Sequence, residues 1–141
     1  MIPRNLPLSF NALQLLHRLG DRRIPLDSES AILTKSSAAQ NLILTLWNYC
    51  DPEVEGEGKS FSIQLADPDV YKREATIQVV DETHGNAVRR WNLMGGPQFP
   101  TREQISELQR AAMVPTQETI SLEDVINLEP QALALIEIFH V

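Results

Sequence analysis

The chain has one cysteine, Cys50, among its 141 residues. A lone thiol excludes an internal disulfide framework and any zinc site built from cysteine clusters, so nothing in the sequence requires an oxidising compartment. Long apolar runs are absent too. Met1 to Ser9 hold two prolines and one arginine but no stretch of signal-peptide length, and no later segment reaches the length of a bilayer crossing. These absences favour a cytoplasmic location and exclude the membrane as a partner. Basic residues are also few: 12 Lys and Arg stand against 19 Asp and Glu, a formal charge of -7, and the densest basic runs are Arg22-Arg23, Lys72-Arg73 and Arg89-Arg90. A polyanion needs a clustered cationic surface, so nucleic acid is set aside. At 43% hydrophobic and 22% charged, the composition is that of a folded domain. A chain of about 150 residues buries about 70% of its extended surface.

The patterning changes once along the chain. From Leu8 to Gly20 apolar residues recur at spacings near three and four, which predicts one short helix capped at Ser9, stopped at Gly20 and followed by the charged boundary Asp21-Arg22-Arg23. Beyond it, short aliphatic and β-branched runs predict strands at Ala31–Thr34, Leu42–Trp47, Phe61–Leu65, Ala75–Val80, Thr119–Leu122, Val125–Leu128 and Ala132–Phe139. Leu42 to Trp47 is almost continuously apolar, as a central strand covered on both faces would be, whereas Phe61 to Leu65 alternates strictly. The polar turn Ser36 to Asn41 predicts a hairpin between the first two strands, and Thr119 to Leu128 reads as one strand or two. Helix returns between about residues 86 and 112. Ala87 to Met94 is ended by Gly95-Gly96-Pro97, and a second helix starts at Thr101, whose hydroxyl and Gln104 form a reciprocal capping box, with Ile105, Leu108 and Ala112 as its stripe. The expected fold is mainly β, an antiparallel β-sandwich with an N-terminal helix and a short helical insertion.

Motifs of catalysis are missing. No nucleophile elbow, Walker loop, dinucleotide fingerprint or zinc-protease helix occurs, so no catalytic, cofactor-binding or metal-binding residue is assigned and no cofactor is expected. The acidic loop of Asp51, Glu53, Glu55 and Glu57 lacks the closing Glu of a calcium loop, since Ser62 stands there, and reads as a solvated turn. Asp81, Glu82 and His84 cluster at a strand end and read better as turn formers than as an acid–base set. Trp47, Tyr49 and Trp91 have the side chains that stack on sugar rings, but with aromatics at only 6% each is needed first as core.

The stretch from Asp81 to Leu108 carries a resemblance. The string D-E-T-H-G-N-A followed by W-N-L-M-G-G-P-Q-F-P-T-R-E-Q-I-S-E-L resembles the C-terminal part of glycoside hydrolase family 39, the β-xylosidases and their α-L-iduronidase relatives. Its points are Asp81, His84, Asn86, Trp91, Gly95, Pro97, Pro100, Thr101, Glu103, Gln104 and Leu108. Phe10 to Gly20 is similar to the family's last barrel helix, L-T-L-W-N-Y to a strand ending in Trp-Asn-Tyr, and L-A-L-I-E-I to the closing strand.

The resemblance implies that residues 1–20 are the remnant of the last helix of a TIM barrel and residues 21–141 an accessory β-sandwich. A family enzyme carries its two catalytic glutamates on that barrel. Neither has a counterpart here, Glu53, Glu55 and Glu82 included, so the chain alone is expected to be inert, as a truncated part of an O-glycosyl hydrolase of β-xylosidase type. Its expected partner is the catalytic barrel of the same enzyme, contacted through His84, Asn86, Trp91 and Phe99. A second expectation concerns the Leu8–Leu19 helix, whose stripe would have been made for a barrel: without one it packs on the sandwich, swaps onto another copy or stays loose, and self-association or a reoriented helix is expected. Three other readings stay open: an independent carbohydrate-binding module using Trp47, Tyr49 or Trp91, an enzyme acting through His84 with Asp81 or Glu82, and an interaction domain unrelated to sugars.

Overall fold

The computed structural model describes residues 12–50, 55–81, 87–111, 113 and 115–141. Eight strands follow in order: β1 (Arg22–Ile24), β2 (Ala31–Lys35), β3 (Leu42–Asn48), β4 (Lys59–Phe61), β5 (Tyr71–Val80), β6 (Glu118–Ser121), β7 (Ile126–Leu128) and β8 (Ala132–His140). Three helices accompany them: α1, helical over 12–16, α2 (Ala87–Leu93) and α3 (Arg102–Ala111). The strands form a six-stranded antiparallel sheet in the order β1-β2-β3-β8-β5-β6 and a small antiparallel sheet of β4 and β7. This is a β-sandwich of two unequal layers.

Period-two alternation divides the large sheet into two faces. Register pairs Leu42, Leu44 and Leu46 of β3 with Ile138, Ile136 and Ala134 of β8, and these last with Ala75, Ile77 and Val79 of β5. That face meets the small sheet, where Ile126, Leu128, Phe61, Ile63 and Leu65 complete the main core. The opposite face carries Ile43, Leu135 and Val80, and α1 lies on it. Leu15 is only 1% exposed and packs in the same cluster, with Leu19 beside it. Burying such a leucine contributes about 1.5–3 kcal/mol. Because both faces are covered, β3 is almost continuously buried, as its near-unbroken apolar run requires.

Polar groups fix α1 in place. Arg18 donates to Gln78 on β5 and to Glu137 on β8, the latter at 2.9 Å, and Asn41 donates to the other Glu137 oxygen at 3.2 Å. With its amide oriented so that Oε1 faces Arg18, Gln117 accepts from both guanidinium nitrogens at 2.9 and 2.6 Å. The Gly20 N–H donates to Thr34 Oγ1 at 2.8 Å, and a Cβ on Gly20 would lie 2.4 Å from the carbonyl carbon and oxygen of Lys35. Glycine stands there because backbone meets backbone. A carboxylate oxygen of Asp21 accepts from the Ser37 N–H at 2.8 Å, tying the same segment to the β2–β3 turn. At the other end of the sandwich, buried Asn48 joins the layers: its Nδ2 donates to the carbonyls of Glu57 at 2.8 Å and Leu128 at 3.1 Å.

Several expected boundaries shift. The pattern at Phe61–Leu65 yields a ladder only at its first residue, and the paired strand is Lys59–Phe61. Ser62 to Leu65 keep the alternation in burial, but a ladder extends only as far as its partner, and β7 has three residues. Thr119 to Leu128 is two strands in two sheets. Between them Asp124 turns the chain, accepting from the Ser121 N–H at 3.2 Å and donating its own N–H to the Ser121 carbonyl at 3.0 Å. The charged boundary at Arg22-Arg23 is itself a three-residue edge strand, where exposed charges suit an open edge. β5 starts at Tyr71, with an irregularity between Tyr71 and Ala75. The β2–β3 hairpin forms as the turn pattern predicts. The proposed cap at Ser9 and residues Leu8 and Phe10 lie outside the described residues.

Three outcomes follow for the isolated chain. Gly20→Ala is expected to lower stability by about 1–3 kcal/mol, because α1 or β2 must move off its place; an unchanged denaturation midpoint would refute the close approach. Asn48→Asp sets a carboxylate against two carbonyls and should destabilise by about 3 kcal/mol or more, against about 1–3 kcal/mol for Asn48→Ala. The Ser37 amide holds the Asp21 carboxyl below its ordinary value of 3.8. Its contribution is therefore fully present above that pH and is lost as pH falls through the lower folded value. Asp21→Asn should flatten the acid limb of the stability curve below about pH 4 and leave the neutral region's shape unchanged.

Candidate functional site

Between β5 and β6 the chain leaves the sheet as a helical hairpin, and the stretch with the sharpest family resemblance lies here. Val80 is fully buried and Asp81, next in sequence, is buried as well. Glu82, His84 and Asn86 fall outside the described residues. α2 ends in a Schellman arrangement: the Gly95 N–H donates to the Asn92 carbonyl and the Gly96 N–H to the Trp91 carbonyl, each at 3.0 Å. Gly95 takes φ +90° and Gly96 φ +63°, the left-handed region that glycine enters without steric cost. The chain then folds back over Trp91. Its indole N–H donates to the Pro97 carbonyl at 3.0 Å, and a Cβ on Gly96 would sit 3.2 Å from the ring. α3 starts with the expected capping box, the Thr101 N–H donating to Gln104 Oε1 at 2.8 Å and the Gln104 N–H to Thr101 Oγ1 at 3.2 Å. Arg90 and Glu107 pair across the two helices, which pack on one another.

Trp91, Gly95, Pro97, Thr101 and Gln104 are therefore spent on the hairpin's own bends. Several large apolar side chains also stay outside. Phe99 is 87% exposed, Met113 66% and Leu93 65%, Ile105 is exposed as well, and no residue of α3 is buried.

The aromatic candidates are spread over two places. Trp47 is half-buried on the α1 face of the large sheet, where it pairs with Leu133, which in turn pairs with Val80. Tyr49, two residues on, is 76% exposed. Trp91 stands apart on the hairpin with its ring against Gly96. The row Trp47–Leu133–Val80 lies at the sheet end from which the hairpin departs, with Val80 fully buried and Trp47 and Leu133 half-buried. Of the acidic loop, Asp51 and Glu53 lie outside the described residues, while Glu55 and Glu57 are exposed. Among the described residues no group of three or more His, Cys, Asp or Glu is placed to hold a metal ion. Cys50 is half-buried, its thiol 3.6 Å from Asn48 Oδ1.

Sequence reasoning missed two residues of weight. Arg18 gathers Gln78, Glu137 and Gln117 from distant parts of the chain, and only its place three residues after the buried Leu15 hinted at a role on the same helix face. Asn48 could have been noticed as the polar member of Trp47-Asn48-Tyr49 in the most apolar strand.

Comparison with known proteins places this geometry. The sequence profile described as glycosyl hydrolases family 39 matches residues 5–124. A β-xylosidase of Geobacillus stearothermophilus is 30% identical over 122 residues, covering 85% of this chain and 23% of that protein. One from Caldicellulosiruptor saccharolyticus is 32% identical over 108 residues, covering 74% and 22%. Among solved structures, a family 39 β-xylosidase of Caulobacter crescentus superposes with a TM-score of 0.69 at 16% identity, covering 93% of this chain and 27% of that one. A monomeric β-xylosidase from the same organism gives 0.71 at 14%, covering 93% and 30%. The chain thus spans less than a third of the length of each of these relatives. With the profile running over most of the residues and curated relatives at about 30% identity, the chain belongs to glycosyl hydrolases family 39.

Proposed function

We propose that this chain is the non-catalytic β-sandwich portion of a longer glycoside hydrolase and that it packs against a catalytic barrel. The observation that carries the reading is the mismatch of lengths: 85% of this chain aligns with 23% of a β-xylosidase. Retaining hydrolysis requires two carboxyls about 5 Å apart on either side of a bound sugar. In this reading both belong to the barrel, and so does sugar specificity. The sandwich contributes cover and rigidity.

The contact runs over the hairpin and the neighbouring end of the large sheet. Phe99, Leu93 and Met113 face outwards on a hairpin already bent into shape by Trp91, Gly95 and Gly96, so little is lost in ordering them. Leu13 on α1 is also exposed, on a helix whose Leu15 is buried against the sheet. The helix accordingly forms a seam, one side on the sandwich and the other towards the barrel. His84 and Asn86 join the contact in the same proposal. A second copy of the chain, meeting through α1, is the competing occupant of this surface, and sedimentation across a concentration series separates the two.

Phe99 gives the cleanest test because its side chain supports nothing within the chain. Phe99→Ala should change the stability of the isolated chain by less than about 0.5 kcal/mol. In the full-length enzyme, where the ring is buried at the contact, the same change should cost about 2 kcal/mol and lower the melting temperature by several degrees. An unchanged full-length melting profile would contradict docking through this residue. The chain alone should show no turnover of nitrophenyl β-xyloside and no saturable change in tryptophan fluorescence with xylo-oligosaccharides. Turnover would favour a stand-alone enzyme, and saturation a carbohydrate-binding module built on Trp47, Tyr49 or Trp91.

A further inference from the structure

Among the described residues α2 and α3 pack on one another and no strand packs broadly on either, so the hairpin is carried by its arms. Phe99 sits at the far end, in the bend between the helices, and α3 leads back from it over ten residues to the return arm at Pro115–Gln117. At a rise of about 1.5 Å per residue the ring stands about 15 Å from that arm, so a swing of about 10° displaces it by about 3 Å. A gap of about 1 Å already forfeits up to about half of a dispersion contact. A hairpin that meets a rigid surface therefore needs its arm fixed.

The fixing comes from α1. On the return arm the Pro115 carbonyl accepts from Gln78 Nε2 at 2.9 Å, and Gln117 Oε1 accepts from both terminal nitrogens of Arg18. Gln78 Oε1 in turn accepts from Arg18, which also donates to Glu137 at 2.9 Å. One guanidinium thus joins α1, β5, β8 and the arm. The Arg18 side chain is 32% exposed and that of Glu137 22%, so water competes for the pair only in part. A guanidinium is a planar fork with donors at set angles, and it fixes direction as well as distance, which an ammonium group does not. We propose that Arg18 is a positioning residue: by clasping the return arm to α1 it holds two apolar patches, Leu13 on α1 and Phe99 with Leu93 at the hairpin tip, in the one relation that a rigid partner surface can meet. Order already present in the free chain need not be supplied on binding. The proposal rests on the reading that the partner is a catalytic barrel, but the clasp belongs to the isolated chain and is testable there.

The first test uses the 141-residue chain carrying Cys50→Ser, with nitroxide labels attached through Ala38→Cys in the β2–β3 turn and Ser106→Cys on α3, both exposed positions. Pulsed electron paramagnetic resonance should give one narrow label-to-label distance. Arg18→Met should broaden that distribution by about twofold or more, as a hinged element does when its arm is released. The pair Gln78→Ala and Gln117→Ala should do the same while leaving Arg18 on Glu137, and it carries the test if Arg18→Met fails to fold. The second test is thermal denaturation of the full-length enzyme. There Phe99→Ala should lower the melting temperature less than about half as much in the Arg18→Met background as in the wild type, because the ring no longer reaches its contact. Additive losses would make Arg18 a prop of the sandwich alone and overturn the proposal. Unbroadened distances would overturn it too, without touching the docking reading. Broadened distances together with no effect of Phe99→Ala in the full-length enzyme would uphold the clasp and defeat that reading.

Discussion

The structure depends on covering one pair of strands on both faces. β3 and β8 present Leu42, Leu44, Leu46, Ile136 and Ile138 to one side and Ile43 and Leu135 to the other, all buried. A sheet that is apolar on two sides cannot leave either one in water, because each large aliphatic side chain left exposed forfeits about 1.5–3 kcal/mol. The means of cover are few. One side receives two three-residue strands, β4 and β7, and the other receives α1. That economy explains why so short a helix is bound so firmly, with Leu15 as its wedge, Arg18 as its clasp and Gly20 where two backbones touch.

The hairpin obeys a different logic. Its residues shape bends and leave the apolar groups outside. Gly95 and Gly96 occupy positive φ, Trp91 is pinned by Pro97, and Thr101 with Gln104 caps α3. An element held this way keeps its form without a core of its own. Trp91, Gly95, Gly96, Thr101 and Gln104 make bonds or bends within the hairpin, while Phe99, Leu93 and Met113 are exposed on it.

Much of this was legible from local pattern. The two-sided burial of β3 follows from the unbroken run Leu42–Leu46, the β2–β3 hairpin from its polar turn, and the caps of α3 from Thr101 and Gln104, because each signal lies within a few residues. What escaped depends on partners distant in sequence. Nothing near Phe61–Leu65 tells that its ladder partner, the strand that sets Ile126 opposite Phe61, ends so soon. Arg22-Arg23 reads as a boundary because an edge strand needs no apolar face of its own. Arg18 reads as a solvated helix residue until Gln78, Gln117 and Glu137 are brought around it. For the site, Trp91 was visible by type, but its service to the Gly96-Pro97 bend needed coordinates.

The central claim is that the outer surface of this sandwich is built to receive a catalytic barrel. Calorimetric titration of the 141-residue chain with the Geobacillus β-xylosidase from which the matched region has been removed tests it most directly. The account predicts a saturable one-to-one complex with the negative heat-capacity change of buried apolar surface. The absence of any complex at concentrations where both parts are folded would contradict it.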